Sequence, residues 1–185
     1  LAHKAEHEGV VCVEAIKGLD VHPLDKLRVP GCTYSRPQIA SVGLTEAAAR
    51  KKYGDGVTTV KYDLAGNGKS HILETSGSIK VVRVNDGPVV GVHMIGARVG
   101  ELIGEAQLAV NWEASAADVA ALVHPHPTLS EVFGEAALSL TGRALQHRWR
   151  RFPASSRQSH PRAPGQNLPQ PPANSTRQVA AVALA

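Results

Sequence analysis

Apolar positions recur with helical spacing near both ends of the chain and alternate with polar ones in its middle. At the start, Ala2, Ala5, Gly9, Val13 and Ile16 mark one face of a helix that Gly18 closes. A loop carrying Pro23 and Pro30 follows. Cys32–Ser35 and Gln38–Gly43 read as extended segments broken by Pro37. Thr45 is placed to cap a short helix from Glu46 to about Tyr53, ended by Gly54. Val57–Asp63 reads as a strand, Ala65–Ser70 as a turn-rich loop. Ser78–Val84 and Val89–Ile95 read as strands joined by the turn Asn85-Asp86-Gly87-Pro88. Val99, Leu102, Ile103, Ala106, Ala109 and Val110 mark a long helix. Ser115 starts a short one, with Asp118 in its first turn. Strands clustered in the middle with helices after them predict an α+β fold, an antiparallel sheet covered by helices.

The last periodic segment carries the chemistry. In His124-Pro125-His126-Pro127-Thr128-Leu129-Ser130-Glu131, two prolines stiffen the entry to a helix that Thr128 is placed to cap. Leu129, Val132, Phe133, Ala136, Ala137 and Leu140 supply its buried face, which turns Glu131 back toward the histidines. An imidazole oriented by a carboxylate on a rigid turn suits a general acid or base. The same residues allow two other readings. Thr128-Leu129-Ser130-Glu131 is also a capping box, in which Glu131 would bond only the backbone N–H of Thr128. The H-x-H spacing could begin a metal site, but no further ligands are spaced to complete one, so no metal is expected.

Composition divides the chain in two. All sixteen acidic residues precede Arg143, whereas seven of the twenty Lys and Arg lie from Arg143 onward, so the basic balance is a property of the tail. It is no sign of nucleic-acid binding by the domain. No stretch is long enough to span a membrane, and the start lacks the features of a signal peptide. From Arg148 the chain carries six prolines and no acid, and a disordered basic Pro-rich tail is expected over 148–185. Cys12 and Cys32 are expected to be small buried hydrophobes. Gly66-Asn67-Gly68-Lys69-Ser70 invites comparison with a phosphate loop. The full G-x4-G-K-[ST] is missing, so a tight turn is expected there.

His126-Pro127-Thr128-Leu129-Ser130-Glu131 resembles the C-terminal active-site motif of dihydrolipoyl dehydrogenases, within the FAD-dependent pyridine nucleotide–disulfide oxidoreductases. Three further segments resemble that family in the same order: Leu1-Ala2-His3-Lys4-Ala5 with His7-Glu8-Gly9, Tyr34 to Glu46, and Gly91-Val92-His93-Met94-Ile95-Gly96. The likeness runs from Leu1 to about His147. It implies a helix remaining from the FAD-binding domain over 1–18, a linker over 19–30 and a dimerisation domain over 31–147. Neither G-x-G-x-x-G nor the family's C-x4-C redox disulfide occurs in the chain. The start inside a helix, without Met, suggests a C-terminal fragment. Family members end near the position of His147, so the tail reads as a frameshifted or unrelated extension.

The resemblance implies oxidation of dihydrolipoamide, with electrons passing through a redox disulfide and FAD to NAD+. His126 would be the base and Glu131 the carboxylate that holds it, acting on the partner subunit's disulfide in a homodimer. The backbone of Ala2 and His3 would lie at the flavin. FAD and NAD are expected in the parent enzyme and not on this chain alone. The implied partners are a second subunit and the lipoyl domains of 2-oxo acid dehydrogenase complexes or of the glycine cleavage system, in the cytoplasm. His126-Pro127 is a candidate cis peptide. Two alternatives stay open: an inactive dimerisation module or gene remnant, and a fragment of a related glutathione-type or mercuric reductase.

Overall fold

The computed structural model describes residues 1–145. The elements run α1 (Ala2–Ile16), β1 (Gly31–Thr33), β2 (Gln38–Gly43), α2 (Glu46–Tyr53), β3 (Val57–Asp63), α3 (Gly68–Ile72), β4 (Gly77–Val84), β5 (Val89–Gly96), α4 (Val99–Asn111), α5 (Ala116–Ala120) and α6 (Glu131–Leu140). The five strands form one antiparallel sheet in the order β1-β2-β5-β4-β3. This is the expected α+β fold.

Alternation sets the two faces of the sheet. Ile79 and Val81 of β4, Val92 and Met94 of β5, and Ala40 and Val42 of β2 point into the main core. There they meet Ile103 and Ala106 of α4 and Val132, Phe133, Ala136 and Ala137 of α6. Val82, one residue on from Val81, points the other way and joins Val57 and Ala49 under α2. The helix α2 begins at Thr45, whose hydroxyl accepts from Ala48 N at 3.2 Å, and ends at Gly54, as its local sequence predicts.

One crossing leaves no room for a side chain. As the chain leaves β2 it passes over β5, and Leu44 N donates to Val90 O at 2.8 Å. A Cβ added to Gly91 would stand 2.0 Å from Leu44 O, backbone against backbone. Gly91→Ala is therefore expected to destabilise the fold by about 3 kcal/mol, read as a lower midpoint of guanidinium unfolding. An unchanged midpoint would show that this crossing relaxes freely.

Several expectations need correction. None of α1 is buried: Val13 and Ile16 are 60% and 79% exposed, because nothing among the described residues covers that face. Cys12 lies on α1 and is exposed with it, whereas Cys32 is half-buried against the main core. Residues 68–72 are not a plain turn. Asn67 accepts from Ser70 N at 2.9 Å and caps the short helix α3. The expected tail from Arg148 lies outside the described residues.

Candidate functional site

The loop from Ala121 to Ser130 joins α5 to α6, and three anchors hold it. The first is α6 itself. Its apolar face, from Leu129 through Leu140, is buried as its periodicity predicts. The second is His124, whose Nε2 lies 2.7 Å from Glu105 Oε1 on α4. A carboxylate accepts, so Nε2 donates there. The ring of His124 lies close against α6, where a Cβ at Gly134 would come within 2.8 Å of Nδ1. Sequence reading groups His124 with Glu131. Its actual partner stands nineteen residues away on another helix. The third anchor is Asn67 Nδ2, which donates to Thr128 O at 2.9 Å.

Within this frame His126 and Glu131 meet. His126 Nδ1 lies 2.8 Å from Glu131 Oε1, so in the neutral ring Nδ1 carries the shared proton and Nε2 keeps its lone pair. The two side chains differ in setting: that of His126 is 69% exposed and that of Glu131 11%. The imidazole therefore offers its basic nitrogen outward from a carboxylate anchored in the protein. The other oxygen, Oε2, accepts from Thr128 N at 2.7 Å. Glu131 thus carries out both of the roles that its sequence left open, bonding a backbone N–H and orienting an imidazole. The peptide bond His126–Pro127 is cis.

Thr128 is not the side-chain cap that its position suggests. Its hydroxyl donates to Pro125 O at 2.6 Å and lies 2.9 Å from Ser130 Oγ, so it braces the turn. The helix starts at Glu131, with Ser130 at the N-cap position making no side-chain cap bond. Among the described residues, no three His, Cys, Asp or Glu side chains gather closely enough to hold a metal ion.

Tyr62 of β3 is buried beneath this region. Burial first, with the nearby Glu135 and Glu131 adding to it, pushes its phenol up to about 12. The unfolded chain releases that proton near pH 10, whereas the folded chain retains it to about pH 12. Stability is therefore lost as pH rises through that window. Unfolding midpoints of the wild type are expected to fall faster there than those of Tyr62→Phe; equal slopes would contradict the assignment.

The other predicted residues lie apart from this pair. Ala2 and His3 open α1, which has no side-chain cap and no acid in its first turn. His3 is exposed, and its Nε2 donates to Pro30 O at 2.8 Å. The missed contributors are Asn67 and Glu105. Asn67 stands in a stretch read as a turn, and no local signal marks Glu105 as a histidine's partner.

Residues 29–137 match the family model for the pyridine nucleotide-disulphide oxidoreductase dimerisation domain. The chain is similar to the dihydrolipoyl dehydrogenase of Rhizobium etli, 51% identical over 148 residues, covering 78% of this chain and 31% of the relative. It is also similar to that of Bacillus subtilis, 47% identical over 147 residues, covering 78% and 31%. The crystal structure of LpdA from Mycobacterium tuberculosis matches with a TM-score of 0.69 at 26% identity, covering 76% of this chain and 31% of that one. The chain thus spans about a third of the length of the curated relatives it matches.

Proposed function

Because the chain belongs to the pyridine nucleotide-disulphide oxidoreductases, through their dimerisation domain, we propose that it is the part of a dihydrolipoyl dehydrogenase that supplies the base of the dithiol reaction. The observation that carries this reading is the 2.8 Å contact between His126 Nδ1 and Glu131 Oε1, which leaves an exposed ring with its Nε2 free to take a proton.

In disulfide exchange the thiolate is the nucleophile. His126 Nε2 takes the proton of one dihydrolipoamide thiol, and Glu131 steadies the imidazolium that results. The thiolate attacks the redox disulfide, forming a mixed disulfide and expelling one thiolate. The second thiol then loses its proton to solvent, and the resulting thiolate attacks the lipoamide sulfur of the mixed disulfide, closing the ring and expelling the second redox thiolate. Two electrons and both sulfur-bound hydrogens have then left the substrate, and the redox disulfide has become a dithiol pair.

That disulfide belongs to the partner subunit of a homodimer, so each site is built across the interface. A bound FAD would supply the redox chemistry that links the reduced disulfide to NAD+. Ala2 and His3 would meet the flavin through backbone N–H groups at the start of α1. The segments 1–18, 19–30 and 31–147 would serve as the end of the flavin domain, a linker and the dimerisation domain. The physiological dithiol would come from lipoyl domains of 2-oxo acid dehydrogenase or glycine cleavage complexes in the cytoplasm.

A hybrid tests the reading. Residues 1–145 would replace the corresponding third of the Rhizobium etli enzyme, to which this chain is 51% identical. The hybrid is expected to bind flavin and to oxidise dihydrolipoamide with NAD+. A folded, flavin-loaded hybrid without turnover would overturn the proposal.

A further inference from the structure

The segment Gly66-Asn67-Gly68-Lys69-Ser70 is remote from the base pair in sequence, yet it lies against it. Asn67 is fully buried, and its one side chain bonds in two directions. Its Oδ1 accepts from Ser70 N at 2.9 Å and from Ser70 Oγ at 3.4 Å, capping α3. Its Nδ2 donates to Thr128 O at 2.9 Å. Thr128 is the residue whose N–H is held by Glu131 Oε2. Its backbone is therefore gripped on both sides, by Glu131 at the N–H and by Asn67 at the carbonyl. Gly68 follows directly, and a Cβ placed there would stand 3.8 Å from His126 Cε1, so the cap of α3 also borders the ring.

We propose that Asn67 is a positioning residue for the His126–Glu131 pair: by fixing the Thr128 carbonyl it sets where the Glu131 carboxylate sits and so how the imidazole is aimed. The competing role is a helix cap and nothing more. Ser and Asp cap a helix start as well as Asn. An ionised Asp has no donor to give to Thr128 O, and the shorter Ser side chain ends at the oxygen that caps α3, one bond short of where the amide nitrogen stands. The buried amide does both at once, so the two roles separate by substitution. This inference rests on the reading of His126 as the base, and it is tested by a signal that needs no substrate.

The experiment is two-bond 1H–15N NMR on the full chain with labelled histidine, at a pH where the imidazoles are neutral. In the wild type, His126 is expected in the single form protonated at Nδ1. In Asn67→Ser, which keeps the cap and loses the amide donor that reaches Thr128 O, the two nitrogens of His126 are expected to move toward the averaged shifts of mixed tautomers. His93, whose Nε2 donates to Leu44 O, and His124, held by Glu105, serve as internal references and are expected to keep their shifts. Asn67→Asp, which sets a carboxylate against the Thr128 carbonyl, is expected to behave likewise. In the hybrid, either change is expected to lower kcat by about 10 to 100-fold.

Unchanged His126 signals in folded variants would overturn the inference. So would loss of folding in both variants, which would make Asn67 a requirement of the fold rather than of the site. Movement of the His126 signals together with full activity of a His126→Gln hybrid would leave Asn67 as a positioning residue and defeat the proposed reaction instead.

Discussion

Replacing His126 with Gln in the hybrid enzyme is expected to slow dihydrolipoamide oxidation by about 10² to 10⁴-fold, the usual contribution of a positioned acid or base. Gln keeps a side chain of similar reach and an amide able to bond Glu131, so the turn should survive. It cannot accept a thiol proton. The thiolate would then have to form by loss of its proton to water, and the loss should fall on kcat and kcat/KM alike. Flavin content should not change, because His126 is remote in sequence from the segment proposed to meet flavin. Glu131→Gln is the informative contrast. It removes the charge that steadies the imidazolium, and with its oxygen kept on Thr128 N–H it turns an amide N–H toward His126 Nδ1, which favours the tautomer protonated at Nε2; the loss should therefore also be large, up to about 10⁴-fold. If the two variants lost nothing in kcat, the pair would be a structural brace.

Phe133→Ala is expected to have the largest effect on stability, a loss of about 3 to 5 kcal/mol. Phe133 is 3% exposed and lies in the main core between α6 and the sheet. Around it, Leu64, Ile79, Met94 and Val132 leave a residual space of only about 10 Å³. Truncation would open a cavity that these neighbours, fixed on strands and on α6, could close only in part. A domain of this size has about 5 to 15 kcal/mol in total, so the loss is a large fraction of it. Guanidinium unfolding monitored by circular dichroism would give the value. A change below about 1 kcal/mol would mean that α6 contributes little to the core. Since α6 carries Glu131 at its first residue, the same packing that stabilises the domain sets the height of the carboxylate under His126.

Elements whose signals are local were legible in the sequence. The Thr45 cap and Gly54 stop bound α2, and alternation bounds β3, so both helix and strand fall where the residues predict. The pairing of His126 with Glu131 was legible for the same reason: five residues and a turn separate them. Contacts across the fold were not. Glu105 meets His124 from a different helix, and Asn67 reaches Thr128 from sixty-one residues away. The cap assigned to Thr128 failed because its hydroxyl found closer partners in Pro125 O and Ser130 Oγ. The burial expected of Cys12 on α1 failed for a different reason. Periodicity reports that a helix has an apolar side, not that anything covers it.

The central claim is that His126 acts as the base that deprotonates the dithiol as it attacks a partner's disulfide. It is tested most directly by refolding the chain together with a full-length dihydrolipoyl dehydrogenase whose own base histidine has been replaced, then assaying NAD+-dependent dihydrolipoamide oxidation. The account predicts activity in the mixture, none from either component alone, and its loss when the chain carries His126→Gln. A mixture that contains folded mixed dimers and still fails to oxidise dihydrolipoamide would contradict it.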